Sequence, residues 1–173
     1  GIFTLPIGRG IAPGKVDSWD VTFDATGTIL TEGDYDEIHR FSDGMALVVK
    51  YLPRENEAAR HGPPPESQAG YIDQTGTEVI PLGKIDGLFA EFHEGLAVFG
   101  DYEQKRGYID KTGKMVIPQI YLNAGDFSEG LAPVQSLDTK LWGYIDREGA
   151  AVIPMEYDGA EPFHDGVAFV AKN

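Results

Sequence analysis

Gly107-Tyr108-Ile109-Asp110-Lys111-Thr112-Gly113, followed by Met115-Val116-Ile117-Pro118 and Phe127-Ser128-Glu129-Gly130-Leu131-Ala132, is the text that decides the fold. It returns as Gly143-Tyr144-Ile145-Asp146-Arg147-Glu148-Gly149, Val152-Ile153-Pro154 and Phe163-His164-Asp165-Gly166-Val167-Ala168. An earlier copy reads Gly70-Tyr71-Ile72-Asp73-Gln74-Thr75-Gly76, Val79-Ile80-Pro81 and Phe92-His93-Glu94-Gly95-Leu96-Ala97. These copies begin 37 and then 36 residues apart. A fixed period of this size marks a repeat architecture.

A degenerate copy precedes them. Val21-Thr22-Phe23-Asp24-Ala25-Thr26-Gly27 stands where the others have Gly-Tyr-Ile-Asp, Ile29-Leu30 replaces Val-Ile, and Phe41-Ser42-Asp43-Gly44-Met45-Ala46 closes the unit. Tyr35-Asp36 matches Tyr157-Asp158, and Val21 to Gly44, Gly107 to Gly130 and Gly143 to Gly166 each span 23 residues. The chain therefore divides into an N-terminal strand and loop (1–18), a first repeat (19–69) and repeats at 70–106, 107–142 and 143–173, all in one continuous repeat domain. Residues 52–68, with a triple proline at 63–65, read as a loop inserted in the first repeat, because proline cannot join a ladder.

Each copy reads as three strands of alternating apolar and polar residues. In the first turn, Asp73, Asp110 and Asp146 accept a hydrogen bond from backbone two residues on, and Gly76, Gly113 and Gly149 supply positive φ. The proline after Val-Ile is expected to end the second strand. The third strand follows the Phe-x-acid-Gly turn, and Ala46, Ala97, Ala132 and Ala168 mark the close approach of a facing strand. Pro133 predicts that this third strand is an edge. Third strands pair with the first strand of the following unit, so each sheet runs third, first, second. The fold class is all-β, a tandem array of antiparallel three-stranded meander repeats, either an open superhelix or a small propeller.

The chain carries 28 acidic against 14 basic residues, a net charge of −14. Such a chain repels phosphate backbones and anionic lipid surfaces, which argues against nucleic acid as partner. No apolar run reaches the roughly 20 residues of a membrane span, so no membrane insertion is expected. Cysteine is absent, which excludes disulfides, thiolate metal sites and a cysteine nucleophile. The chain starts at Gly1 and not at Met, as a processed product or a fragment would.

Catalytic and metal patterns are missing. No Gly-x-Ser-x-Gly elbow, zinc-binding HExxH or EF-hand loop occurs. His93 and His164 share one repeat position but lie in different units, and His39 and His61 have no spaced partner. Turn capping accounts for the repeated aspartates more simply than a row of cation ligands does. Tyr71, Tyr108 and Tyr144 form a row that either fills the seams between units or, with Trp142, offers a binding surface. No catalytic, cofactor or metal site is expected, and the chain is not read as an enzyme.

Trp142-Gly143-Tyr144-Ile145-Asp146, with Val152-Ile153-Pro154, Tyr157-Asp158 and Phe163-x-x-Gly166-x-Ala168, resembles the WG-repeat (KWG-repeat) family over about residues 19–173. Only the last copy keeps the Trp-Gly pair; the others have Arg106-Gly107, Ala69-Gly70 and Asp20-Val21. The resemblance implies a bacterial, exported or envelope-associated protein and brings no shared catalytic residues. The expected function is a non-catalytic binding module for a protein, peptide or glycan. The alternative is a structural subunit that assembles with itself head to tail, through terminal strands containing Ile2, Phe3 and Leu5 at one end and Val167 and Phe169 at the other.

Overall fold

The structure, a computed structural model, describes residues 3–4, 21–23, 29–32, 35–52, 67–84, 88–100 and 105–172, with the backbone alone described at 3–4, 21–23, 29–32 and 88–89. Ile2, Leu5, His61 and most of the inserted loop lie outside the described residues. The chain forms two compact units, Gly1–Asp86 and Gly87–Asn173. The described residues contain β-strands and no helix.

The first unit holds β1 (Phe3–Thr4), β2 (Val21–Phe23), β3 (Ile29–Glu32), β4 (Glu37–Ile38), β5 (Met45–Tyr51), β6 (Ser67–Asp73) and β7 (Glu78–Ile80). They form two antiparallel sheets, ordered β1-β2-β3 and β4-β5-β6-β7. Ser67 and Gln68, assigned to the inserted loop from sequence, instead belong to β6 and pair with Tyr51 and Lys50. Tyr35, Ala46, Val48 and Ile72 form the buried cluster of this unit.

The second unit holds β8 (Leu88–His93), β9 (Leu96–Gly100), β10 (Arg106–Asp110), β11 (Met115–Ala124), β12 (Ala132–Ser136), β13 (Trp142–Ile145), β14 (Ala151–Tyr157), β15 (Gly159–Ala160) and β16 (Val170–Ala171). Strands β8 to β14 run consecutively through one seven-stranded antiparallel sheet, and β15 pairs with β16. Third strands do pair with the next first strand, β9 with β10 and β12 with β13. The sheet does not stop after three strands, however, because β11 also pairs with β12 within the same repeat.

That continuity corrects two expectations about proline. The second strand does not end at Pro118 or Pro154; β11 and β14 run through them. Tyr108 lies opposite Ile117 and Arg106 opposite Tyr121, so four steps on β11 face two on β10. Pro118 sits in that bulge, where no ladder donor is required. Beyond it the strand turns to its other neighbour, with Asn123 opposite Gln135 and Ala124 opposite Val134. The same bulge separates Tyr144↔Ile153 from Trp142↔Tyr157.

Pro133 is not on an edge either, since β12 is paired on both sides. Its carbonyl accepts the amide of Gly125 at 2.8 Å, so its nitrogen faces the same way. The reciprocal donor is missing, and the Tyr108 hydroxyl supplies it by donating to the Gly125 carbonyl at 2.7 Å.

Both turn types follow their residues. Gly76, Gly113 and Gly149 adopt φ of 80–84°, and each donates its amide to the carbonyl of the aspartate three residues back. In the second turn the acidic residue and the glycine are both left-handed: Asp43, Glu94, Glu129 and Asp165 at 51–55°, and Gly44, Gly95, Gly130 and Gly166 at 78–82°. Two consecutive positive φ values define the type I′ hairpin, whose twist suits the strands it joins.

The glycine before each tyrosine has a different reason, which is close approach. A Cβ on Gly70 would lie 2.5 Å from the Ile80 carbonyl oxygen, and one on Gly143 2.5 Å from that of Ile153. Gly107 meets Ile117 in the same way. The obstacle is backbone held in the bulge and cannot swing aside. Gly107→Ala and Gly143→Ala are each expected to cost roughly 2–3 kcal/mol in urea unfolding. Gly166→Ala meets no atom within 4 Å and should cost about 1 kcal/mol, through its positive φ alone.

Candidate functional site

Asp73, Asp110 and Asp146 each cap their own turn. Their Oδ1 atoms accept the amides of Thr75, Thr112 and Glu148 at 2.8–3.1 Å and those of Thr77, Lys114 and Ala150 at 2.8–3.1 Å. The Thr75 hydroxyl, and then the amides, hold the Asp73 carboxyl below its ordinary value. At Asp110 burial pushes upward, but the Thr112 hydroxyl and the Thr112 and Lys114 amides outweigh it.

The tyrosine row faces inward. Tyr71, Tyr108 and Tyr144 are at most 1% exposed, and of the three Tyr144 lines the cavity described below. Tyr108 packs edge-on to Phe127 at 4.9 Å between centroids, and Tyr144 to Phe163 at 5.0 Å. The Tyr144 hydroxyl donates to the Glu161 carbonyl at 2.7 Å, repeating the Tyr108 bond. Burial raises the pKa of Tyr71, and burial followed by nearby Asp126 and Tyr121 raises that of Tyr108. Trp142 is half-buried, opposite Gln135 on one side and Tyr157 on the other.

The second turns link one repeat to the next. Glu94 Oε2 accepts the Gly130 amide at 3.0 Å, and Glu129 Oε2 accepts the Gly166 amide at 2.9 Å. The Ser128 hydroxyl donates to the Phe163 carbonyl at 2.7 Å, and His93 Nε2 lies 3.4 Å from Asp126. The Phe-x-acid-Gly text predicts a turn at these acidic residues but not the bonds Glu94 and Glu129 make to the next repeat. The regular spacing of acid and glycine by one repeat was the available signal. His164 and Asp165, the matching pair of the last repeat, touch each other at 3.4 Å, and their side chains are about 90% exposed.

The same face that is covered in repeat three is open in repeat four. Val134 is fully buried while Val170, its equivalent, is 44% exposed, and Phe169 reaches 80%. A cavity of about 330 Å³ opens here, lined by Tyr144, Ile153, Tyr157, Phe163, Val167 and Val170 among others. Four of these, with Ala168, match Tyr108, Ile117, Tyr121, Phe127 and Ala132 of repeat three, which form one buried cluster with Val134 and Ile145. Ile145 comes from the following first strand; among the described residues no counterpart lines the cavity of repeat four. Val167 and Phe169, expected from sequence to lie on an assembly strand, fall outside β16 (Val170–Ala171); Val167 lines the cavity and Phe169, which alternates with Ala168 and Val170, does not. Phe3 lies on β1, which pairs with β2.

Among the described residues no group of three or more His, Asp or Glu side chains could hold a metal ion, and no helix is long and apolar enough to cross a membrane. The family model described as "WG containing repeat" matches residues 23–51, 70–99, 107–138 and 142–173. No curated protein matches the chain. Among solved structures, the computationally designed Ika8 protein is similar at 14% identity with a TM-score of 0.46. The match covers 88% of this chain, which spans 49% of that one.

Removing the Tyr108 hydroxyl orphans the Gly125 carbonyl, so Tyr108→Phe is expected to lose about 1–2 kcal/mol in denaturant unfolding. Tyr71 and Tyr108 have folded pKa values above the unfolded phenol value of about 10, so stability is complete below that pH and falls above it. Ultraviolet titration should show both rings ionising together with alkaline unfolding.

Proposed function

The chain belongs to the WG containing repeat family, and from that premise we propose that it is a non-catalytic interaction module that binds an extended peptide as an added strand on repeat four. The Phe169 carbonyl accepts the Glu161 amide at 2.9 Å and the Ala171 carbonyl the Asp158 amide at 2.8 Å. Main-chain groups alternate along a strand, so those of Ala168, Val170 and Lys172 point away from β15. In repeat three the corresponding side of β12 is the one that β13 occupies.

One observation carries the reading: the open cavity repeats the Tyr, Ile, Tyr, Phe, Ala and Val positions of the repeat-three core, and no counterpart of Ile145 is among its lining residues. A segment that satisfies it supplies an extended backbone and one branched aliphatic or aromatic side chain. Strand addition of this kind takes its affinity from main-chain bonds and its selectivity from the pocket. An apolar pocket beside a row of backbone groups suits a peptide better than a glycan, whose hydroxyls find few partners there. The repeated carboxylates bond to backbone amides, within their own turn or in the next repeat, which supports a binding role over an acid–base one.

Parallel peptide and glycan arrays test this. Peptide hits are expected to share an alternating pattern with a bulky apolar residue. Val170→Pro removes one outward donor and should weaken them at least about tenfold, the equivalent of 1.4 kcal/mol. Glycan hits without peptide hits, indifferent to Val170→Pro, would overturn the proposal.

A further inference from the structure

We propose that the sheet face at Asn123, Gln135 and Trp142 binds a neutral oligosaccharide, at a site separate from the strand edge of repeat four. Asn123 on β11 lies opposite Gln135 on β12, and Gln135 lies opposite Trp142 on β13. Directly opposed residues share a face, so the three side chains form one row across adjacent strands. All three strands are interior to the seven-stranded sheet. Asn123 is exposed, Gln135 and Trp142 are half-buried, and none of them belongs to the buried cluster of repeat three.

The two amides hold each other in position. Asn123 Nδ2 donates to Gln135 Oε1 at 2.6 Å, and Gln135 Nε2 donates to the Lys140 carbonyl at 2.7 Å. Lys140 itself adopts a φ of 62°, an uncommon angle for a residue with a side chain. Each amide offers two donors and a carbonyl with two lone pairs. Both therefore keep donors and acceptors beyond these bonds.

The fold does not ask for this row. The residue five places after the turn glycine is Val49, Gly100 and Gln135 in successive repeats, and the residue before the next first-strand glycine is Ala69, Arg106 and Trp142. By register the two earlier rows read Glu37-Val49-Ala69 and Leu88-Gly100-Arg106. Arg106 folds over Gly100, where an added Cβ would collide with its guanidinium. Neither row sets two amides beside an indole. A row that departs from its own repeat's pattern without serving the core points to function.

Its chemistry selects the ligand. A sugar ring has apolar C–H faces and hydroxyls that both donate and accept; the indole suits the first and the paired amides the second. A proline-rich peptide brings few donors and leaves the Asn123 carbonyl unmatched. The three side chains are uncharged and the chain carries −14, so acidic polymers are repelled. With strands about 4.8 Å apart the row is roughly 10 Å long, longer than one sugar ring.

The chain has two tryptophans, so Trp19→Phe leaves Trp142 as the reporter. Neutral sugars that hit the glycan array are titrated against this variant by fluorescence and against the unmodified chain by calorimetry. A saturable emission shift is expected, with the same Kd by both methods. Asn123→Leu copies Leu88 of the preceding repeat and should weaken binding at least about tenfold, the equivalent of 1.4 kcal/mol, with the urea unfolding midpoint retained. Trp142→Phe should weaken it as well. An array without neutral-glycan hits would overturn the inference, as would sugar binding indifferent to both substitutions. Peptide hits abolished by Asn123→Leu would assign the row to peptide and overturn it too. Peptide hits without glycan hits would sink this inference and leave the strand edge standing, whereas glycan binding without peptide hits would do the reverse.

Discussion

A repeat of this chain closes one side of its third strand by itself and depends on a neighbour for the other. Val134 is fully buried because β13 lies against β12, and Val170, in the same place one repeat on, is 44% exposed. The dependence is physical and not particular to one residue. A single three-stranded unit cannot cover both faces and both edges of its sheet, so its apolar side chains and backbone donors need the next copy. The tyrosine, phenylalanine and valine positions all act at this seam. So do the bonds from Glu94 and Glu129 to the glycine amide one repeat later.

Close backbone contact makes the seam narrow. The glycine before each tyrosine lets the Ile-Pro bulge lie directly on the first strand, and the bulge turns the second strand from one neighbour to the other. One strand can then serve two partners, and the sheet continues where a three-stranded unit would end. Proline is accepted twice for the same reason: at Pro118 and at Pro133 the chain needs no ladder donor, and in the second case the Tyr108 hydroxyl takes over the bond. The buried tyrosine is thus a backbone partner as much as a hydrophobic one.

These commitments shape what the molecule has left for function. The repeated aspartates bond to amides of their own turns, the turn glutamates bond across repeats, and the tyrosine rings lie inside. Among the described residues, part of the seam itself stays open at Val167 and Val170. On the proposed strand-addition reading, affinity there would come from main-chain atoms aligned with a ladder.

Much of this was legible in the residues. The repeat period, the strand positions, both turns and the pairing of third strand with next first strand follow from local rules, since Asp-x-x-Gly and acid-Gly encode their dihedral angles within four residues. Three things did not follow: the path of β11 through Pro118, the interior place of Pro133, and the reach of Glu129 to Gly166. Each depends on which groups lie opposite across a ladder, and a proline's missing donor matters only if something there would have accepted it. Sequence by itself determined the unit and its order along the chain, because those are set by neighbours in the chain. Only the tertiary structure decided which faces are spent and which stay open, because burial is a property of what stacks on a strand and not of the strand's own residues.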